Sequence, residues 1–204
     1  MNNIANPAVT PGLQPHRVLA DVVPGDRARD ALLVLGGAGL TALAAQISFH
    51  IPSTPVPVTG QTLAVLLAGA ALGARRGIAS QALYLLLGLF LPIYAGGASG
   101  ASVLWSASGG YIFGFVIAAG VVGWASERGA DRRLALAVGM FVVGQFAIFG
   151  VGVPWLKLET GMGWGAAIHA GFSLFIIAEL VKAVFAGMLM PTAWRIERWR
   201  RQAS

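Results

Sequence analysis

The chain has 204 residues, 56% of them hydrophobic and only 11% charged, and its mean hydropathy is +0.73. A soluble domain carries about 25% charged residues, so this composition excludes a mostly water-facing exterior and requires one that faces lipid. The formal net charge of +6 comes from basic residues in short segments between long apolar runs. That placement argues against nucleic-acid binding and for membrane flanks, and the absence of cysteine excludes disulfides and thiolate chemistry.

Residues 1–30 are polar, contain Pro7, Pro11, Pro15 and Pro24, and lack an apolar signal-peptide core. They are expected to form a cytoplasmic tail, largely disordered. A first apolar run, Ala31 to Ile51, is long enough to cross a bilayer core of about 30 Å. Pro52, Pro55 and Pro57 then exclude helix and favour extended backbone up to Gly60. Two shorter runs follow, Gln61 to Ala74 and Gly77 to Leu91, with Arg75-Arg76 between them. A small-residue loop, Tyr94 to Ser102, leads to a fourth run at Gly109 to Ala125. A charged loop precedes the fifth run, Leu134 to Val153, which Pro154 is expected to end. Pro154 to Phe175 reads as an outer loop with a short interfacial helix, and Ile176 to Trp194 as the last span.

The expected fold class is therefore an all-α membrane protein with six transmembrane helices. Its divisions are a tail at 1–30, a six-helix domain at 31–194 and a basic cytoplasmic tail at 195–204. The inner segments of this arrangement hold 12 of the 14 Lys and Arg residues, which places both termini in the cytoplasm. The loops after spans one, three and five then lie outside. Irregular backbone near membrane depth is tolerated where it is buried in protein or lines a cavity, so these loops predict an outward-facing pocket.

Glu179 and Lys182 are charged residues inside a span, where charge is costly and marks a functional site. Their i, i+3 spacing puts both on one helix face, presenting an acceptor and a donor to a polar small molecule. The loop containing Gly97 and Gly100 lets backbone amides approach a ligand closely. Gln61 and Tyr111 lie beside outer loops and can point polar tips inward. Ala38 and Ala42 form a small-xxx-small face on span one, suited to close helix packing by another span or another subunit. No Walker pattern, HExxH or catalytic triad pattern appears, so neither a metal nor a cofactor is expected.

Several ordered blocks resemble the BioY family, biotin-specific S-components of energy-coupling factor (ECF) transporters. They are Ala45-Gln46-Ile47-Ser48, the stretch Pro55-Val56-Pro57-Val58-Thr59-Gly60-Gln61-Thr62, Tyr84 to Pro92, Ala95-Gly96-Gly97, Gly109 to Phe115, Gly152 to Leu156, and Lys182-Ala183. The family usually has Gly-Asp-x-x-Lys where this chain has Ala178-Glu179-x-x-Lys182. The resemblance implies a membrane biotin transport protein with an outward-facing pocket, in which Glu179 accepts from the ureido N–H groups and Lys182 meets the ureido carbonyl or the valerate carboxylate. It also implies partners: a coupling module of one transmembrane subunit and two ABC-type ATPases, docking on the Ala38/Ala42 face. The competing readings are an S-component or solitary permease for a different vitamin, an intramembrane enzyme using Glu179 or His169 as base, and a purely structural subunit.

Overall fold

The computed structural model describes residues 18–23 and 25–203; the expected tail at 1–17 lies outside them. The architecture is helical. Its elements are α1 (Arg27–Ala45), a small antiparallel ribbon of β1 (Ser48–Phe49) and β2 (Val58–Thr59), α2 (Gln61–Leu72) and α3 (Ala74–Leu87). There follow α4 (Ala101–Leu104), α5 (Gly109–Ser126), α6 (Leu134–Thr160), α7 (Trp164–Ile168) and α8 (Ile176–Ala203). A π-helical turn at His169–Ser173 joins α7 to α8, so the helical run from Trp164 to Ala203 spans 40 residues. Among the described residues, four helical segments are long and apolar enough to cross a membrane: Arg27–Ala45, Gly109–Ser126, Leu134–Thr160 and Trp164–Ala203.

The expected boundaries hold best where one side chain type dominates. α5 matches the fourth run to within a residue, and α8 begins at Ile176 as read. Other boundaries are corrected. α1 starts at Arg27, because Asp26 caps it by accepting from the Ala28 N–H. It ends at Ala45 rather than Ile51, since the register Ser48–Thr59 and Phe49–Val58 captures the next residues in the ribbon. Arg75 and Arg76 belong to the first turn of α3, not to a connecting segment, because Gly73 alone makes the turn from α2 at φ +82°. Pro154 does not end α6, which continues to Thr160. A proline inside a helix costs one hydrogen bond and crowds the carbonyl four residues back. That residue is Gly150, and an added Cβ there would meet nothing within 4 Å, so the surroundings are open. The expected outer loop at 154–175 is thus mostly helix, and the basic segment after Trp194 continues α8.

Part of the expected tail is also structured. A 3-10 turn at Leu19–Val22 packs Val18 and Ala20 against Ala68 and Leu72 of α2. Asp21 pairs with Arg76 at 2.5 Å, and Asp30 pairs with Arg29.

α5 and α6 form the centre of the bundle, and close approaches pack the other helices around them. A Cβ on Gly123 of α5 would lie 2.4 Å from Gly73 and Ala74 backbone, so that glycine lets the α2–α3 turn sit directly on α5. At the same end Asp131, fully buried in the α5–α6 connection, accepts from the Trp194 indole N–H of α8 at 2.5 Å. Its other oxygen, Oδ1, is buried without a donor. Burial pushes this carboxyl above its ordinary range, against the opposing pull of the Trp194 hydrogen bond. A raised folded value means that the folded chain holds the proton more tightly than the unfolded one. The contribution of Asp131 to stability is therefore full at low pH and declines as pH rises through its folded value. Asp131→Asn keeps an acceptor for Trp194 and removes the charge. It should raise the melting temperature at pH 7, because the folded chain no longer holds a buried carboxylate there. Thermal unfolding in detergent across pH should show the gain shrinking as pH falls into the carboxylate range.

Candidate functional site

The β1–β2 ribbon, the loop after α3 and the first turns of α2 and α5 converge over one cavity of about 320 Å³. Ligand cavities typically span roughly 300–1,000 Å³ and are mainly apolar with a few placed polar groups. Val56, Ile112, Phe115, Ile148, Phe149 and Phe175 supply the apolar wall. Thr59, Gln61, Thr62 and Glu179 supply polar groups, with His50, Tyr111 and Ser102, Ser106 and Ser108 also lining it.

Glu179 is the carboxylate of the wall, and it is 3% exposed. Its Oε1 accepts from Lys182 Nζ at 2.6 Å, and its Oε2 accepts from Thr62 Oγ1 at 2.7 Å and from Gln145 Nε2 at 2.5 Å. A carboxylate has about four lone-pair sites, so three donors leave one acceptor position toward the cavity. Lys182 donates to Glu179, to the Thr59 carbonyl at 2.7 Å and to Thr62 Oγ1 at 3.0 Å. All three ammonium hydrogens are thereby committed, and Lys182 does not line the cavity. The structure places Lys182 behind Glu179 rather than in the wall, holding the carboxylate and tying β2 and α2 to α8.

Gln61 and Tyr111 both line the cavity. Gln61 Nε2 donates to Tyr84 Oη at 2.6 Å, and Tyr84 donates in turn to the Ile93 carbonyl. Gln61 Oε1 has no donor among the described residues and remains an acceptor. Tyr111 donates to the Gly171 carbonyl at 2.9 Å, and its ring lies over Gly152, where a Cβ would come within 2.4 Å. Gly97 and Gly100 are not in the wall. They hold positive φ of +74° and +97°, which shapes the loop so that Ala95, Ala98 and Ser102 face the cavity instead. Tyr94 is another wall residue, and its Oη donates to the Leu85 carbonyl at 2.6 Å. Trp155 fastens the start of α5 to α6 by donating to the Ser106 carbonyl and stacking on Trp105.

Ala38 is 2% exposed and packs in the chain's own core, and Ala42 is partly buried against that core. Thr41 on the same face bonds Gln81 of α3, which explains why this side turns inward. Sequence reasoning missed Gln145, Thr62 and the Thr59 carbonyl as partners of the ion pair. The Pro55–Thr62 block carried the signal for two of them, whereas a lone glutamine on a long apolar helix carried none.

The pair makes a direct prediction. Lys182→Met should leave a buried carboxylate without its cation and destabilise the fold by about 3 kcal/mol. The double change Lys182→Met with Glu179→Gln should recover most of that loss, measured as thermal unfolding in one detergent.

Comparison with known proteins agrees with the motif blocks. The family described as "BioY family" matches residues 15–198. The "Biotin transporter BioY2" of Lactococcus lactis is 34% identical over 154 residues, covering 75% of this chain and 82% of that protein. The "Biotin transporter BioY" of Thermotoga maritima is 37% identical over 148 residues, covering 72% and 86%. The "Probable biotin transporter BioY" of Pyrococcus horikoshii is 36% identical over 161 residues, covering 78% and 93%. Among solved structures, the S-component for biotin from an ECF-type ABC transporter superposes with a TM-score of 0.76 at 19% identity, covering 83% of this chain and 92% of that one.

Proposed function

We propose, because the chain belongs to the BioY family, that it is a multi-pass protein of the bacterial plasma membrane that captures biotin from outside the cell and delivers it to the cytoplasm. The observation that carries this reading is the cavity itself: an apolar enclosure of about 320 Å³ with one buried carboxylate presenting a spare acceptor position. Biotin has the matching chemistry. Its ureido N–H groups donate to Glu179 and Gln61 Oε1. The thiophane ring rests on Phe115, Phe149 and Ile148, and the valerate chain runs toward His50 and the serine hydroxyls.

Six crossings, by α1, α2, α3, α5, α6 and the run ending in α8, are the arrangement we favour, with both termini in the cytoplasm. The asymmetry of 12 basic residues among 14 supports it. α2 and α3, with 12 and 14 residues, rise about 18–21 Å and cross with the help of the loops that continue them. Residues 27–194 then form the substrate-binding domain and the end of α8 its basic cytoplasmic extension. Substrate capture as one subunit of an ATP-driven ECF transporter, beside a transmembrane coupling subunit and two ABC-type ATPases, is the role that the family supports.

Equilibrium binding of labelled biotin to the purified chain in detergent tests the reading. Desthiobiotin should displace the label, and riboflavin and thiamine should not. Glu179→Ala removes the partner of a buried polar contact, typically about 2–5 kcal/mol or roughly 30- to several-thousand-fold in affinity. Near-native affinity in that variant would remove Glu179 from the site, and displacement by riboflavin or thiamine would assign the pocket to a different vitamin.

A further inference from the structure

The cytoplasmic end of α8 has features that biotin capture does not use. The helix persists to Ala203, and one outward stripe runs along it. That stripe holds Ile177, Val181, Phe185 and Met188 at 76%, 64%, 49% and 49% exposure, then Ile196 and Trp199 at 56% and 75%. Steps of three, four and eight residues keep these side chains on one helix face. From Ile177 to Trp199 the helix rises about 33 Å, close to the roughly 30 Å hydrocarbon core of a bilayer. With Ile177 at one boundary, the Trp199 indole lies at the other.

The rotation of the helix at this end is fixed independently. Trp194 is buried and donates its indole N–H to Asp131, so that side faces the bundle. The Trp199 side, with Arg195 one turn before it, must face outward. Arg195, Arg198 and Arg200 are all exposed, and no carboxylate pairs with them among the described residues. The nearby acid, Glu197, is held by Arg201 at 2.7 Å. Other arginines at this end are engaged: Arg76 by Asp21, Arg128 over the Trp124 ring and Arg132 over the Trp194 ring.

From this geometry, and resting on the membrane reading above, we propose that Arg195, Arg198 and Arg200 around Trp199 bind the phosphodiester headgroup of an anionic phospholipid in the cytoplasmic leaflet. A guanidinium matches phosphate oxygens through paired N–H donors. An exposed indole suits the headgroup level, where its ring meets acyl chains and its N–H meets polar groups. An anionic leaflet attracts each juxtamembrane arginine.

The experiment uses the full chain in bilayer nanodiscs containing phosphatidylcholine with brominated phosphatidylglycerol or, separately, brominated phosphatidylcholine. The difference in quenching between wild type and Trp199→Phe reports lipid at Trp199 alone. The expected result is quenching by the anionic lipid at about fivefold lower mole fraction than by the zwitterionic one. The preference should vanish in the variant Arg195→Gln, Arg198→Gln, Arg200→Gln and in wild type at high salt, and excess inorganic phosphate should leave it unchanged. Equal quenching by both lipids, a preference that survives in the triple variant, or competition by inorganic phosphate would each overturn the proposal. Biotin binding measured on the same samples separates the two readings, because its loss would count against the proposed function and not against the lipid site.

Discussion

A carboxylate cannot stay ionised inside a membrane-spanning helix without a cation and donors around it, and Glu179 sets that requirement for this protein. Lys182 meets it from the same helix face, three residues on. The lysine has three hydrogens to satisfy, and the carboxylate has two oxygens, so one pair recruits Thr59 from the ribbon, Thr62 from α2 and Gln145 from α6. Three stretches distant in sequence, Thr59 to Thr62, Gln145 and Glu179 to Lys182, thus meet at one charged contact. The prolines of the first loop serve this meeting: extended backbone brings the Thr59 carbonyl to the ammonium, and α2 starts two residues later with Thr62 in reach. The cavity floor and the attachment of its cover are therefore one structure.

Around that floor the wall is built by aromatic rings seated on glycines. Tyr111 lies over Gly152 and reaches the Gly171 carbonyl, which draws α5, α6 and the π-helical turn together. Tyr84 and Tyr94 meet edge to face at 5.6 Å, and each hydroxyl donates to a backbone carbonyl of the third helix or the loop after it. Buried hydroxyls need such partners, and here the partners are carbonyls of the loop and of the end of α3. The polar tips hold the irregular segments in place while the ring bodies line or back the cavity.

The sequence made some of this legible for physical reasons that can be named. A charged pair in an apolar run, a proline-dense segment and a glycine loop each violate a local rule, and all three border the cavity. Glu179, Gln61 and Tyr111 stand out in the sequence because they are polar where polarity is costly, and the structure places all three in the cavity wall. The three bonds of Lys182 are not legible in its spacing, because spacing gives the face of a helix but not which neighbour occupies it. Pro154 was misread as a stop, since a proline is tolerated where the surroundings are open and the carbonyl it frees belongs to a glycine. Ala38 and Ala42 were read as an outer docking face. Small residues allow close approach without saying to what, and here it is the chain's own α3. Gln145 left no trace, because one glutamine on a long apolar helix looks the same whether or not a partner awaits it.

The distribution of charge in the cavity also fixes how an elongated anionic ligand must lie. Glu179 is an anion whose own cation is spent on it, and no lysine or arginine lines the wall among the described residues. A ligand carboxylate placed beside Glu179 would meet like charge in a medium that screens it weakly. The Glu179 end can accept only donors, and the opposite requirement falls on the region of His50 and the serine hydroxyls, which can donate. A molecule with N–H donors at one end, an apolar middle and a carboxylate at the other satisfies both ends in one orientation. Reversing it would leave the acceptors at Glu179 and Gln61 without donors, and an unpaired buried polar group is what allows such a site to reject a near match. On the proposed reading a single carboxylate sets the direction of the ligand, and the lysine behind it holds that carboxylate in place at 2.6 Å.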